Sequence, residues 1–447
     1  MGFISRGFKG KRRDNVSSAR VPPGQHLVSD FPVLSAGPTP RVSLDQWTFT
    51  IAGEIDEPKR WTWNELRALP SETVMKDIHC VTKWSKLDTA WTGVSVDTLM
   101  EGVETAADFA TVFSDGDYTT NLALDDLTGN KAWIVYEFDG RPLHPEHGGP
   151  ARLLVPHLYF WKSAKWVRGI TLQNEEQPGF WESNGYHLRG DPWREQRGQA
   201  VSLRGPLRWQ LGEVTELIQE TPRVASLVLA APDWPGHLAG QHVDVRLTAD
   251  DGYQAERSYS IASAPQDPRL EITVERLEDG EVSPYLVGEV KVGDKVELRG
   301  PIGGYFVWKG DEPRPLLLIG GGSGVVPLVA MIRHRTVSGA KAPTRLLYSS
   351  RTFEDIIYND ELHRIASSAD GVTVAHALTR AQPSGWKGYA RRIDREMVRD
   401  VAWPKEQMPI AYICGPTSFV EAAANLLVES GYDPAWIKTE RFGATGG

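Results

Sequence analysis

From Trp47 the chain alternates apolar and polar residues (WTFTIAGEI), the period-two signature of a half-buried strand. TWNELRALP then reads as a short helix that Pro70 stops. VTKWSKLDTAWTGVSV, ATVFSDGDYTTNLAL and KAWIVYEFDGRPL continue as short strands separated by Gly and Asp turns, with no long amphipathic helix among them. A new alternating run begins at WQLGEVTELIQETPRVASLVLAA. Near Pro313 the rhythm changes again. The apolar strands PLLLIG, TRLLYSS, VTVAHAL and PIAYICG alternate with helical stretches, which is the pattern of a parallel α/β sheet. The chain therefore reads as multidomain: an N-terminal arm over 1–40, a mixed α+β domain over 41–198, a linker over 199–208, an antiparallel β-barrel over 209–310 and an α/β domain over 311–447. The linker belongs to the polar, basic stretch Gly190 to Pro206.

Composition acts by exclusion. The 447 residues include two cysteines, Cys80 and Cys414, too few for a cysteine-ligated iron–sulfur cluster or a Cys-rich zinc site. Net charge is -9 and neither half is basic, which excludes nucleic-acid binding as the main task. Arg6, Lys9, Lys11, Arg12 and Arg13 are followed by no apolar run, so they read as a flexible basic arm rather than an export signal. The apolar stretch Leu316 to Ile332 carries four glycines and a proline; it reads as strand, loop and helix, not as a membrane span. A cytoplasmic protein without a membrane partner is expected. Ten of the 16 tryptophans precede residue 200, as core anchors or as walls of a flat pocket.

Chemistry enters first in the second half. Arg257-Ser258-Tyr259-Ser260 ends a strand, and alternation puts Arg257 and Tyr259 on one face, Ser258 and Ser260 on the other. A guanidinium fork suits a pyrophosphate, and a tyrosine ring can cover a flat heterocycle. Gly320-Gly321-Gly322-Ser323-Gly324-Val325-Val326-Pro327 lies between an apolar strand and a helix, where glycines admit a phosphate close to the backbone. Cys414-Gly415-Pro416-Thr417 closes another strand, so Gly320 and Cys414 both sit at carboxyl ends, where open parallel sheets bind ligands.

In order and spacing these motifs resemble the ferredoxin–NADP reductase superfamily over 209–447, as do Gly280-Glu281-Val282-Ser283, Gly300-Pro301-Ile302-Gly303 and the closing ERFGATGG. The resemblance implies FAD, with Arg257 and Ser283 on its phosphates and Tyr259 and Ser260 against its ring. It implies a nicotinamide nucleotide on Gly320, Gly321, Gly322 and Gly324, with Cys414, Gly415 and Pro416 beside the nicotinamide. Ser350 and Arg351 follow one strand and Arg380 the next; a hydroxyl and two guanidiniums fit a 2′-phosphate, so NADPH is expected before NADH.

In the first half Cys80 stands between His79 and Lys83, cationic neighbours that favour a thiolate; alone, a single cysteine reads as an inert core thiol before a ligand. His147, Arg152, Ser163 and Lys165, in His147-Gly148-Gly149-Pro150-Ala151-Arg152 and Lys162-Ser163-Ala164-Lys165, group donors around an apolar strand and suit an anionic ligand. Together these stretches resemble the molybdopterin domain of the sulfite oxidase family over about 40–190. By that resemblance Cys80 ligates molybdenum, and His147, Arg152, Ser163 and Lys165 hold the pterin and its phosphate. Sulfite-oxidising members carry arginines just after the cysteine. Here stand Val81, Thr82 and Lys83, closer to the bacterial branch that reduces methionine sulfoxide in proteins. His144-Pro145-Glu146-His147-Gly148-Gly149 lies inside the pterin segment and is not a haem site. His187 reads as a substrate contact or a hydrogen-bonded structural residue.

The two resemblances imply one oxidoreductase. NADPH reduces FAD, the flavin passes electrons directly to molybdenum, and a small oxygen-bearing substrate is reduced, a sulfoxide before an N-oxide or nitrate. No separate electron-transfer partner is implied. The alternatives are sulfite oxidation with electrons leaving through the flavin, and a flavin reductase whose first domain binds a pterin or partner without turnover.

Overall fold

The computed structural model describes residues 3–10, 20–198, 208–368 and 370–442. Lys11, Arg12 and Arg13 of the expected arm, residues 199–207 of the expected linker and Gly443 to Gly447 of the closing motif lie outside the described residues. The described residues form two compact units, one of 20–31 and 39–198, the other of 3–10, 32–38 and 208–442.

In the first unit, β1 (His26–Leu27), β4 (Glu72–His79), β5 (Trp84–Ser95), β8 (Trp133–Phe138), β9 (Arg141–Pro142) and β10 (Arg152–Leu154) form one sheet. A second has the order β3-β2-β11-β6-β7, from β2 (Thr48–Gly53), β3 (Lys59–Thr62), β6 (Phe109–Ser114), β7 (Thr119–Ala123) and β11 (Val167–Gln173). Alternation in β2 sends Phe49 and Ile51 into the core, where Trp47, Leu66 and Val112 join them. The short helix Trp63–Ala68 is capped by Thr62, whose hydroxyl accepts from the Glu65 N–H while the Glu65 carboxylate accepts from the Thr62 N–H.

In the second unit, β12 (Gln210–Thr221), β13 (Val224–Ala230), β14 (His242–Thr248), β15 (Gln254–Ser260), β16 (Leu270–Glu275) and β17 (Lys295–Ile302) pair antiparallel in the order β15-β14-β17-β12-β13-β16. A bridge between Ile261 and Ile272 joins the two ends of that order. The remainder is a five-stranded parallel sheet, β20-β19-β18-β21-β22, from β18 (Leu316–Gly321), β19 (Thr344–Ser350), β20 (Val372–Leu378), β21 (Ile410–Gly415) and β22 (Ile437–Arg441). β18 is central, and every residue in it is buried. Its period of two feeds two cores: Leu316 and Leu318 pack with Val325, Leu346 and Tyr412, while Leu317 and Ile319 pack with Leu347, Ile413 and Val420. The stretch Leu316 to Ile332 is thus a strand, the turn Gly322–Gly324 and the start of the helix Val325–Ser338. Among the described residues no helix is long and apolar enough to cross a membrane.

The structure departs from the expected loose arm. Ser5 donates its N–H to the Thr248 carbonyl at 2.8 Å, Arg6 pairs with Asp294 at 2.6 Å, and Phe8 is buried against Tyr285. Ala36 accepts from the Thr439 N–H at 3.0 Å, covering the edge strand β22. β1 pairs with the start of β5. Backbone hydrogen bonds and the ion pairs of Arg6 and Arg20 add to the arm's few buried apolar residues. Part of the expected linker stretch is also folded: Gly190 accepts from the Tyr159 N–H at 2.7 Å, and Gly198 bridges to Tyr186.

Leu318, 0% exposed in β18, is expected to cost about 2–5 kcal/mol when replaced by alanine, because the parallel sheet cannot collapse around the void. Met75→Ala, at a side chain 59% exposed, is expected to change stability by less than about 0.5 kcal/mol. Denaturant unfolding of both variants checks the contrast.

Candidate functional site

Cys80 follows β4 and is 7% exposed. The turn it opens is held at every step. Cys80 donates its N–H to the Trp84 carbonyl at 2.8 Å, and its own carbonyl accepts from the Lys83 N–H at 3.0 Å and from Gln25 Nε2 at 3.1 Å. The Val81 carbonyl accepts from Arg197 Nη1 at 2.7 Å, and the Lys83 carbonyl accepts from the His26 N–H at 2.8 Å. Lys83 is buried and holds φ at 74°, a left-handed geometry that non-glycine residues rarely adopt. Burial pushes the Cys80 thiol up, and the Thr82 hydroxyl, 3.2 Å from Sγ, and the Arg197 charge pull it back. His79 is turned inward, bonded to Ser85 Oγ at 2.9 Å and pushed down to about 4 by burial, so it stays neutral near pH 7.

The four expected donors converge. Arg152, 1% exposed, donates to the His147 carbonyl at 2.8 Å and the Ser163 carbonyl at 2.6 Å, and its guanidinium lies 4.0 Å from the centre of the Phe160 ring. Burial lowers its pKa to about 9. Lys165 donates to the Glu146 carbonyl at 2.6 Å. Gly148 has φ +106°, and a Cβ there would stand 3.0 Å from the Lys165 backbone, so glycine is required where these two segments meet. The Ser163 hydroxyl faces inward and accepts from the Val155 N–H at 2.9 Å. His147 stacks on Phe31 with ring centres 4.0 Å apart, and burial with the Lys165 and Arg152 charges drops it to about 3. Phe31 also touches Trp84, Trp91, Phe138 and Phe160, so two of the early tryptophans line this aromatic cluster.

In the other unit the register β14–β15 confirms the alternation. Ser258 donates to Asp244 at 2.7 Å, while Arg257, on the opposite face, reaches Glu281 at 3.9 Å. Arg257 therefore meets the Gly280-to-Ser283 turn, where the Ser283 hydroxyl accepts from the Leu277 N–H at 3.1 Å. Tyr259 and Ser260 are half-buried. In the parallel sheet, Gly320 pairs directly with Cys414. A Cβ on Gly324 would stand 2.1 Å from the Cys414 carbonyl, whereas one on Gly322 would meet open space. Ser323 donates to Glu275, at the end of β16, at 2.7 Å. Arg351 and Arg380 are exposed, and the Arg380 N–H donates to the Arg351 carbonyl at 2.9 Å. Cys414 Sγ lies 3.9 Å from the Glu440 carboxyl, which burial lifts to about 7.

Known proteins divide along the same lines. The family described as oxidoreductase molybdopterin binding domain matches residues 36–181; the oxidoreductase FAD-binding domain matches 211–307 and the oxidoreductase NAD-binding domain 318–425. The uncharacterized oxidoreductase YuiH of Bacillus subtilis strain 168 is 45% identical over 193 residues, 42% of this chain and 98% of that protein. The chain belongs to the molybdopterin-binding oxidoreductases. It is an oxidoreductase that joins a molybdopterin domain to FAD- and NAD-binding domains of the ferredoxin–NADP reductase kind. Over that second part, ferredoxin–NADP reductase B of Sorangium cellulosum is 35% identical across 46% of this chain and 84% of its own length. The glycine betaine monooxygenase reductase subunit of Chromohalobacter salexigens is 34% identical across 46% of this chain, which spans 56% of that relative. The solved cytochrome P450 reductase GcoB of Amycolatopsis shares the fold, with a TM-score of 0.50 and 21% identity over 76% of this chain and 88% of that one.

The residues present fit these groups. In the molybdopterin domain the buried atoms His147 Nδ1, Arg152 Nε, Trp84 Nε1 and Arg197 Nε have no hydrogen-bond partner among the described residues, and a pterin is rich in complementary atoms. In the NAD-binding domain the Ser350 hydroxyl is buried beside Tyr348, and open space faces Gly322. Sequence reasoning missed Gln25, Phe31, Tyr159 and Arg197. It also missed a cleft of about 260 Å³ lined by Asn121, Asp125, Asp126, Glu176 and Arg189. No local motif marks any of them. His187 Nδ1 accepts the N–H groups of Arg189 and Gly190, closing a turn.

Glu440 gives a pH test. A carboxyl raised on folding contributes fully below its ordinary value of 4.5 and loses that contribution as pH rises through about 7. Glu440→Gln is expected to flatten the fall in Tm between about pH 5 and 7. Thermal unfolding of both proteins across that window checks it; an equally steep fall in the variant refutes the assignment.

Proposed function

We propose that this chain is an NADPH-dependent reductase that removes oxygen from a small oxygen-bearing compound, a sulfoxide before an N-oxide or nitrate. The observation that carries the reading is the buried Cys80 thiol, set among buried donors without partners, in a chain that also has FAD- and NAD-binding domains. When bound, the flavin turns a hydride into single electrons and the molybdopterin metal exchanges an oxygen atom. Relatives of the second half are named as reductases and reductase subunits, which supports electrons arriving from the nucleotide.

The chain's own residues have distinct tasks. Cys80 holds the metal as its thiolate. Burial raises the free thiol, so metal binding displaces the proton. His147, Arg152, Ser163 and Lys165 hold the pterin and its phosphate, with Arg152 fixing the backbone of the other two segments rather than reaching outward. Arg257 and Ser283 hold the FAD phosphates, and Tyr259 and Ser260 face its ring. Gly320, Gly321, Gly322 and Gly324 admit the nucleotide, and Cys414, Gly415 and Pro416 border the nicotinamide. The exposed guanidiniums of Arg351 and Arg380, joined through their backbones beside the buried Ser350 hydroxyl, support NADPH over NADH.

A second reading, sulfite oxidation with electrons leaving through the flavin, is favoured by one observation: Arg197 places a guanidinium at the turn after Cys80, where the sequence itself has none.

Cys80→Ala is expected to abolish sulfoxide-dependent NADPH oxidation while NADPH-dependent ferricyanide reduction continues. Absorbance at the NADPH band checks both, and sulfite-driven bleaching of the flavin marks the second reading. Arg351→Ala and Arg380→Ala are each expected to lower kcat/KM for NADPH about tenfold, leaving NADH unaffected.

A further inference from the structure

The FAD-binding family match begins at residue 211, yet the core of the antiparallel sheet contains Phe8. Phe8 is buried with Ala249 and Ala255 from the β14–β15 hairpin and with Val282 and Leu286 from the turn and helix after Gly280. On either side of it the chain is bonded to both of these pieces. Ser5 donates its N–H to the Thr248 carbonyl at 2.8 Å, and its hydroxyl accepts from the Thr248 N–H at 3.1 Å. The Arg6 carbonyl accepts from the Tyr285 hydroxyl at 2.7 Å, and the Arg6 guanidinium forks onto Asp294. Gly10, at φ +63°, then lies against the Tyr253 ring. A Cβ there would stand 2.5 Å from the ring and 3.5 Å from a Glu281 carboxylate oxygen, so only glycine allows this approach.

The position of that contact decides its use. Arg257 and Tyr259 share one face of β15, and alternation carries the same face back to Tyr253. The Tyr253 carbonyl accepts from the Ala249 N–H at 2.8 Å, so the strand pairing extends that far. FAD is a linear molecule: ring, ribityl chain, diphosphate, adenosine. With Tyr259 against the ring and Arg257 on the phosphates, the groove runs on toward Tyr253, about 13 Å beyond Arg257 at the rise of a strand. Glu281, which reaches Arg257 at 3.9 Å, borders the same corner from the turn. We propose that residues 5–10 wall the adenosine end of the FAD site, with Gly10 and Tyr253 as its surface and Ser5, Arg6 and Phe8 as its anchors. The inference rests on the assignment of Arg257 and Tyr259 to FAD. It makes flavin binding depend on a segment that precedes the molybdopterin domain. It also makes that segment selective, because FMN stops at its phosphate and does not reach the wall.

The test titrates FAD and FMN into the flavin-free, full-length protein and follows the flavin fluorescence. Gly10→Val puts a branched side chain at a left-handed position against the Tyr253 ring, so it lifts the end of the segment and leaves the Ser5 and Phe8 anchors intact. It is expected to weaken FAD about 5- to 20-fold and FMN less than about twofold. Phe8→Ala removes an anchor and is expected to lose at least as much FAD affinity, with Phe8→Leu between it and the wild type. A segment that only holds the domain together predicts a different result: a lower Tm of the flavin-free protein and equal weakening of both flavins. That result overturns the proposal, as does unchanged FAD affinity in Gly10→Val. Arg257→Ala tests the underlying assignment separately, because the phosphate it holds is common to both flavins, and both should weaken together. If neither weakens, the Arg257 assignment falls, and a loss confined to FAD in the Gly10 and Phe8 variants would still uphold the wall at the adenosine end.

Discussion

Backbone carbonyls that leave water must find donors, and this rule organises the molybdopterin domain. The turn after Cys80 has Val81 half-buried, Thr82 exposed and Lys83 buried in a left-handed geometry. Its carbonyls recruit Gln25, His26 and Arg197 from segments that sit before and after the domain's main sheets. The same contacts that satisfy the backbone also bring a glutamine, a strand and a guanidinium to the thiol. Stability and site geometry are therefore one set of interactions here.

The second unit depends on strand register. Parallel pairing of β18 with β21 sets Gly320 against Cys414, and the helix that follows can approach only because Gly324 has no side chain to meet the Cys414 carbonyl. The barrel-like sheet and the parallel sheet are tied across this region. Ser323 bonds to Glu275, and Arg333 pairs with Glu271 at 3.0 Å and Glu361 at 2.6 Å while donating to the Ala262 carbonyl. A charge with this many fixed partners in partial burial is held more firmly than a surface pair.

The sequence made local patterns legible. Arg257 and Tyr259 share a face because a strand has period two, and the glycine run of the parallel sheet is flanked by the strand and helix that give it meaning. Cys80 and the donors from His147 to Lys165 were legible through family resemblance, not through spacing alone. Gln25, Phe31 and Arg197 were not legible. Each acts across tens of residues, and each lies in a stretch whose polar, proline- or glycine-rich composition has the look of disorder. Composition reports how much apolar surface a segment can bury; it does not report how many backbone groups elsewhere need that segment as a partner.

The family match over the molybdopterin domain begins at residue 36, but the fold does not. The segment from Arg20 to Phe31 contributes a strand to β5, an ion pair from Arg20 to Asp77 at 2.6 Å and the ring that stacks on His147. A domain excised at the family boundary would keep all the motif residues and lose the pieces that hold the cysteine turn. For this protein the smallest independently useful fragment is set by hydrogen-bond bookkeeping, and it starts before the recognisable domain does.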